Sequence, residues 1–243
     1  MSALLKVNGL TKHFGGAAAV NGCSFDVDQG TITALIGPNG SGKTTAFNMI
    51  TGYLPADSGS VAFAGQSVSR PDPTRLYRAG LMRTFQQARV FPALTLIENL
   101  TVGIVQPWSA LLRRGVSERN RERALVLLEE FGLERLARRP AGELSFGQRK
   151  LLEFATVLMG EPKLVLLDEP TAGVNPVMVE QIERHVRDLH ARGLTFLIVE
   201  HDMHLVMRLC DPVIVLDHGA KIMEGAPGEV QRDARVLDAY LGT

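Results

Sequence analysis

The chain has 243 residues, of which 45% are hydrophobic, and its 26 basic residues balance 26 acidic residues to a formal net charge of zero. This composition is typical of a globular protein with ample material for a core, and the neutral balance excludes a global electrostatic field that would attract nucleic acid or anionic membranes. The two cysteines, Cys23 and Cys210, are too few and too far apart for a disulfide framework, the apolar runs are far shorter than the ~20 residues that span a bilayer, and no secretion signal opens the chain.

The N-terminal third combines hairpin strands with one buried strand. Glycine-punctuated runs at 4–14, 20–30 and 59–65 predict a small antiparallel sheet. TITALIG, residues 31–37, has the length and composition of a buried strand, and a helical pattern, KTTAFNMITG, follows it from residue 43.

The rest of the chain divides into a helical middle and an alternating C-terminal part. Apolar runs at 163–168, 195–200 and 212–217 predict further buried strands, and LMRTFQ, which ends at residue 86, predicts another. A helical pattern over 176–193 separates two of them, so we expect a mainly parallel sheet covered on both faces. Residues 88–160, which lie between the strand LMRTFQ and the apolar run at 163–168, carry helical patterns without a strand signal. This stretch predicts a helical insertion into an α/β core. Its many arginines alternate with glutamates and are typical of a solvated, salt-bridged surface.

A phosphate-binding loop is predicted at GPNGSGKTT, residues 37–45, where a buried strand is followed by a helix. The glycines allow backbone amides to turn towards the β- and γ-phosphates, and the helix dipole adds to that attraction. Lys43 supplies a positive charge, and Thr44 supplies a hydroxyl group for Mg²⁺.

Four polar side chains are expected at the same edge of the sheet. Asp168 and Glu169 end the predicted strand KLVLLD, where Asp168 is placed to hold Mg²⁺ and Glu169 to act as the general base on water. His201 follows the next strand, so its ring is expected to reach the γ-phosphate. Gln86 offers a neutral oxygen to the metal or to the water.

These segments, in this order, resemble the ATPase subunits of ABC transporters over nearly the whole chain. The resemblance covers the Walker A loop just described, Walker B with its catalytic glutamate, the switch histidine and, at Gln86, the Q-loop. Residues 144–148, LSFGQ, resemble the signature motif, which other P-loop ATPases lack, and residues 172–175 resemble the D-loop.

The family's fold implies an α/β architecture, a P-loop NTPase (RecA-like) core with a small antiparallel β-sheet and an inserted α-helical subdomain. The whole chain, 1–243, is then a single ABC ATPase domain, with the core in 1–87 and 161–243 and the helical subdomain in 88–160.

By resemblance, ATP and Mg²⁺ are the cofactors, and Phe14 stacks on adenine. The implied catalytic residues are Lys43, Gln86, Glu169 and His201. The implied metal ligands are Thr44, Gln86 and Asp168. The implied nucleotide-binding residues are Phe14, Gly37, Asn39, Gly40, Ser41, Gly42, Lys43, Thr44, Thr45, Gln86 and Asp168.

The resemblance also implies a second ATPase subunit, identical or not, that faces the first head to tail. Ser145, Gly147 and Gln148 would then contact the nucleotide held by the partner, so that neither site is complete in a monomer. Two residues depart from the family pattern. Phe146 replaces a glycine of the signature, and Asn175 replaces the aspartate of the D-loop.

Several segments, among them RTFQQARVFPALTLIENL (83–100) and EHDMHLVM (200–207), resemble the uptake systems for branched-chain and other hydrophobic amino acids. The implied partners are transmembrane permease subunits that dock near the Q-loop and the helical subdomain, and indirectly an external substrate-binding protein, but no nucleic acid. The implied location is peripheral, on the cytoplasmic face of the inner membrane.

Lipopolysaccharide export and urea uptake are alternatives within transport. A soluble ATPase of DNA repair or translation, or a nucleotide kinase, fits less well, because coiled-coil arms and a second ATPase half are not visible and a kinase lacks LSFGQ.

Overall fold

The structure is a computed structural model, and it describes residues 3–68, 71–84, 89–102, 104 and 117–241. Two sheets, nine α-helices and two short 3-10 helices are formed in this part of the chain, and they confirm the predicted mixed α/β fold. The division into a core and a helical subdomain with the boundaries 88 and 160 stays a prediction.

The larger sheet has six strands, and five of them are parallel. The strands are β3 (Ile32–Ile36), β6 (Leu81–Arg83), β7 (Leu164–Asp168), β8 (Thr195–Val199), β9 (Val213–Asp217) and β10 (Ala220–Gly225). Their order is β10-β9-β3-β8-β7-β6, with β10 antiparallel at the edge. Every residue of β3, β7 and β8 is buried, which explains their continuous apolar runs. Because β3, β8 and β7 are neighbours, the segments that follow them meet at one edge.

The smaller sheet is antiparallel, as predicted for the N-terminal hairpins. It contains β1 (Ala3–Phe14), β2 (Ala17–Asp28), β4 (Ser58–Phe63) and β5 (Gln66–Val68) in the order β2-β1-β4-β5. Its apolar face and helix α1 (Lys43–Ile50) pack on one face of the parallel sheet, where Leu35, Leu166 and Leu197 point. This packing fixes the helix that opens at the phosphate-binding loop.

Helices cover the other face of the parallel sheet. The remaining helices are α2 (Pro73–Ala79), α3 (Leu96–Val102), α4 (Glu118–Glu130), α5 (Phe146–Leu158), α6 (Pro176–Ala191), α7 (Met203–Leu209), α8 (Pro227–Val230) and α9 (Ala234–Leu241). Helices α3, α4, α5 and α6 contribute to one continuous apolar core with β3, β7 and β8. As predicted, the described residues between 95 and 160 form helices without a strand. No helix in the described ranges is long and apolar enough to cross a membrane.

The sequence patterns did not indicate the short elements α2, α7 and α8, or the C-terminal β10 and α9. These have seven, seven, four, six and eight residues. A segment this short shows too few periods to distinguish a helix from a strand. Strand β10 lies at the edge of its sheet and is only half-buried, so it lacks the continuous apolar run that marks the buried strands.

The free energy of unfolding is expected to depend on pH because one histidine is buried. His185 of α6 stacks on Phe131 with the ring centroids 4.2 Å apart, and burial lowers its pKa, although the charges of Glu130 and Asp188 oppose that effect. Its Nε2 atom has no hydrogen-bond partner among the described residues. The unfolded chain therefore binds more protons below about pH 6.5, so the free energy of unfolding should fall as the pH falls below that value.

We expect thermal denaturation to show this loss of stability between about pH 7.5 and pH 5.5. In the variant His185→Phe, which keeps the stacking but cannot be charged, the pH dependence should be weaker. Equal pH dependence in the two proteins would show that His185 is not its source.

Candidate active site at the carboxyl edge of the parallel sheet

The loop between β3 and α1 forms a cradle, and two of its positions can be occupied only by glycine. Gly37 has φ +150° and Gly42 has φ +98°. A Cβ atom at Gly37 would lie 2.1 Å from the backbone oxygen of Leu216, and one at Gly42 would lie 2.3 Å from that of Ala19. The loop is also pinned from outside, because the amide of Gly219 donates to the backbone oxygen of Ser41 at 3.0 Å. These contacts fit a loop whose backbone is held open for an anion.

The Lys43 side chain is folded into this cradle. Its Nζ atom donates to the backbone oxygens of Gly37 at 2.7 Å and Pro38 at 2.8 Å, and the residue is 5% exposed. Burial lowers the pKa of Lys43, while the charge of Glu169 acts in the opposite direction. Nζ also donates to the Ser41 hydroxyl group at 3.4 Å, so all three of these partners are neutral oxygens, and a phosphate would offer the ammonium group full negative charge.

The other residues of the loop differ in exposure. Asn39, Gly40 and Thr44 are exposed, Thr45 is half-buried and Ser41 is buried. Thr44 lies in the first turn of α1, where its hydroxyl group is open to a metal ion at the helix N-terminus. The donor set of a threonine hydroxyl group and an aspartate suits Mg²⁺ bound together with phosphate oxygens.

Asp168, at the end of β7, forms a buried ion pair that the sequence analysis missed. Its Oδ2 atom accepts a hydrogen bond from Nη2 of Arg83 at 2.6 Å. Arg83 ends the neighbouring strand β6, and its Nη1 atom donates to Asn48 at 2.7 Å and to Thr51 at 3.1 Å, both in or next to α1. Arg83 thus ties Asp168 to the helix that begins at the phosphate loop. Its only sequence signal is a charged residue at the end of the short strand LMR.

Glu169 and His201 meet, as expected from their positions after adjacent strands. Nε2 of His201 lies 2.7 Å from Oε1 of Glu169. The Glu169 side chain is 15% exposed and that of His201 is 43% exposed, so the pair faces the solvent at the sheet edge. The backbone of Glu169 has φ +48° and its amide donates to Val199 at 2.9 Å. A non-glycine residue in this conformation is uncommon and is often found at active sites.

The signature segment forms the N-terminus of α5. The Ser145 hydroxyl group accepts a hydrogen bond from the Gln148 amide at 3.3 Å, and the Gln148 side chain accepts one from the Ser145 amide at 3.0 Å. This capping box stabilises the first turn of the helix. Ser145 is exposed, and Gly147 and Gln148 are half-buried, so the helix start is open to a second molecule.

The two residues that depart from the family pattern have structural contacts. The Phe146 ring lies 5.6 Å from Nζ of Lys150, and a Cβ atom at Gly173 would meet the same ring at 3.4 Å. Phe146 therefore packs the signature against the D-loop segment. Asn175 is the N-cap of α6, since its Oδ1 atom accepts from the Met178 amide at 2.9 Å. Asparagine and aspartate cap helices about equally well, so the cap needs no charge.

The two remaining predicted residues lie apart from these contacts. Phe14 ends β1 and is 52% exposed, with Nζ of Lys12 5.9 Å from its ring centroid. An exposed ring of this kind is available for stacking. Gln86 lies outside the described residues.

Known proteins are similar to this chain over nearly its whole length. A family model described as ABC transporter matches residues 20–172, and one described as branched-chain amino acid ATP-binding cassette transporter matches residues 220–243. The chain is 37% identical to the high-affinity branched-chain amino acid transport ATP-binding protein BraF of Pseudomonas aeruginosa, over 98% of both chains. It is 38% identical to the similarly named LivG of Escherichia coli, again over 98% of both.

Solved structures are similar over the same length. An ATP-binding cassette of an ABC transporter in its ADP conformation matches with a TM-score of 0.89 and 38% identity over the whole of both chains. A cassette solved as a dimer in a post-hydrolysis state, bound to ADP and Pi, matches with a TM-score of 0.77 and 26% identity over 92% of this chain and 98% of that one.

Proposed function

We propose that this chain, which belongs to the family of ABC transporter ATP-binding proteins, is the ATPase subunit of an importer for branched-chain or other hydrophobic amino acids. The observation that carries the ATPase assignment is the 2.7 Å contact between Glu169 and His201, at the sheet edge that also holds the phosphate loop. The amino-acid assignment is supported by the names of relatives that match over nearly their whole length, and by the branched-chain model that matches the C-terminus.

ATP is bound first by the cradle between β3 and α1. The backbone N–H groups of residues 39–45 surround the β- and γ-phosphates, and Lys43 exchanges its two carbonyl partners for phosphate oxygens. Phe14, exposed at the end of β1, stacks on the adenine ring. Thr44, Asp168 and Gln86 are the proposed ligands of Mg²⁺, directly or through water, and Arg83 keeps the Asp168 carboxylate in place. When bound, the metal ion neutralises charge on the phosphates.

Hydrolysis follows from the placement of Glu169. Its carboxylate accepts a proton from a water molecule as the water oxygen bonds to the γ-phosphorus. The bond between that phosphorus and the bridging oxygen breaks, and ADP leaves with the bridging oxygen. His201 orients the carboxylate through their hydrogen bond and contacts the γ-phosphate. Lys43 stabilises the charge that develops on the leaving phosphate groups.

A second ATPase subunit completes each site. Ser145, Gly147 and Gln148 at the exposed start of α5 are proposed to contact the γ-phosphate held by the partner, since a helix N-terminus attracts anions. That the similar cassette bound to ADP and Pi was solved as a dimer supports the pairing of two such subunits. ATP then favours the closed dimer and its hydrolysis favours the open state.

Permease subunits are proposed to dock close to the Q-loop. An apolar cavity of about 170 Å³ lies between α2, β6, α3 and α5, beside the strand that ends three residues before Gln86, and is lined by Tyr77, Met82, Leu100 and Val157 among others. The chain would thus act peripherally, on the cytoplasmic face of the membrane, and contact the external substrate-binding protein only through the permease.

The proposal is tested by replacing Lys43 with Ala. Hydrogen bonds to charged groups contribute about 1.5–3 kcal/mol, so ATP affinity measured with a fluorescent nucleotide should fall at least about 10-fold. In cells whose own copy of this chain is deleted, the wild-type chain should restore uptake of radiolabelled leucine, and Lys43→Ala should not.

Lys163→Ala, which changes an exposed lysine, is the matched control and should behave like the wild type. Unchanged ATP affinity in Lys43→Ala would contradict the phosphate loop assignment. Restored urea uptake or lipopolysaccharide export without leucine uptake would instead support one of those two alternatives.

A further inference from the structure

A buried lysine of the signature helix holds the segment that carries Glu169. Lys150 lies one turn after the start of α5 and is 6% exposed. Its Nζ atom donates to the backbone oxygens of Glu169 at 3.0 Å and Pro170 at 3.2 Å. Burial lowers the pKa of Lys150, although the nearby carboxylates of Glu153 and Glu200 oppose this effect. Lysine is almost never buried unless its charge has partners, so this buried position indicates that Lys150 serves to hold the groups it contacts.

A buried glutamate also holds this segment. Glu200, 3% exposed, follows β8. Its Oε1 atom accepts hydrogen bonds from the Thr171 amide at 2.9 Å and the Thr171 hydroxyl group at 2.5 Å, and its Oε2 atom accepts one from the His201 amide at 3.0 Å. Residues 169–171 are therefore fixed between a cation of α5 and an anion of the β8 end.

The conformation that is held in this way is unfavourable in isolation. Glu169 has φ +48°, where the Cβ atom crowds the backbone. A change in the backbone dihedral angles of Glu169 would relieve this crowding and move its side chain relative to His201. Because the carboxylate and the imidazole are 2.7 Å apart, a small rotation at this residue separates them.

We propose that Lys150 and Glu200 are positioning residues that keep the backbone of Glu169 in this conformation, so that its carboxylate faces the site of the attacking water. The inference rests on the role of Glu169 in the proposed function. Lys150 belongs to the helix whose first turn contains Ser145 and Gly147, so it also joins the surface that contacts the partner's nucleotide to the base that acts on the chain's own nucleotide.

The test is Lys150→Met, with Lys163→Met as the matched control on an exposed lysine. A displaced catalytic group costs up to about 100-fold in rate, so kcat for ATP hydrolysis should fall by about that factor while KM for ATP stays unchanged. Circular dichroism and thermal unfolding establish that the variant is folded. Glu200→Gln, which keeps an acceptor oxygen, should lower kcat by about 10-fold and serves if Lys150→Met does not fold.

The double variant Lys150→Met/Glu169→Gln separates positioning from a general structural role. Because Lys150 acts through Glu169, kcat of the double variant should equal that of Glu169→Gln alone, and both proteins should form the same ATP-dependent dimer by light scattering. A further loss of kcat, loss of that dimer, or an unchanged kcat in the folded single variants would overturn the proposal. A wild-type chain that does not hydrolyse ATP would refute the proposed function instead, so the two failures are distinguishable.

Discussion

Replacing Glu169 with Gln should nearly abolish ATP hydrolysis and leave ATP binding intact. The amide has the size of the carboxylate and keeps an acceptor oxygen for His201, which lies 2.7 Å from Oε1. It cannot take a proton from water, and removal of a general base costs ~10²–10⁴-fold in rate. Single-turnover hydrolysis of labelled ATP, with binding measured separately by fluorescence, gives both quantities.

The same variant should accumulate as an ATP-bound dimer, because the step that releases the partner is blocked. Size-exclusion chromatography with and without ATP detects this change. The matched control is Glu129→Gln on the exposed face of α4, which should hydrolyse ATP at the wild-type rate and should not accumulate as a dimer. A hydrolysis rate in Glu169→Gln close to that of the wild type would remove Glu169 from the role of base.

The sequence predicted those parts of the site that depend on local pattern. Buried parallel strands appear as apolar runs, so the sequence predicts the ends of β7 and β8 to within one residue, and Asp168, Glu169 and His201 lie at or just after those ends. The glycine-rich loop was recognisable because two of its glycines are required by close backbone approach, which no other residue tolerates. Topology then explains why strands 30 residues apart or more deliver their side chains to one edge.

The supporting residues were not predicted, because their partners are distant in sequence. Arg83 pairs with Asp168, 85 residues further along, and Lys150 donates to Glu169, 19 residues further along. Arg83 ends LMR and Lys150 begins KLLEFA, and both charged side chains are buried beside apolar residues. A buried charge needs a partner, so this pattern marks a paired residue but does not identify the partner.

Replacing Ser145 with Arg tests whether the site is shared between two chains. Ser145 caps α5 and is exposed, and the hydrogen bond of its hydroxyl group in the described structure joins it to Gln148 rather than to the Walker A loop, Glu169 or His201. The variant should bind ATP normally but lose about 100-fold or more in hydrolysis, because a long cation replaces the hydroxyl group that faces the partner's γ-phosphate. Ser117→Arg is the matched control, since Ser117 caps α4 in the same way and its loss should cost only about 1 kcal/mol of stability.

Mixing then distinguishes action across the interface from action within one chain. A dimer of one Ser145→Arg chain and one Glu169→Gln chain contains one complete site, because the Ser145→Arg chain brings an intact Glu169 and its partner brings an intact signature. Random pairing of equal amounts makes half of all dimers mixed, so two inactive proteins should together regain about a quarter of the wild-type rate. If the mixture stays inactive while cross-linking shows that mixed dimers form, Ser145 must act on its own chain, and the head-to-tail arrangement is wrong.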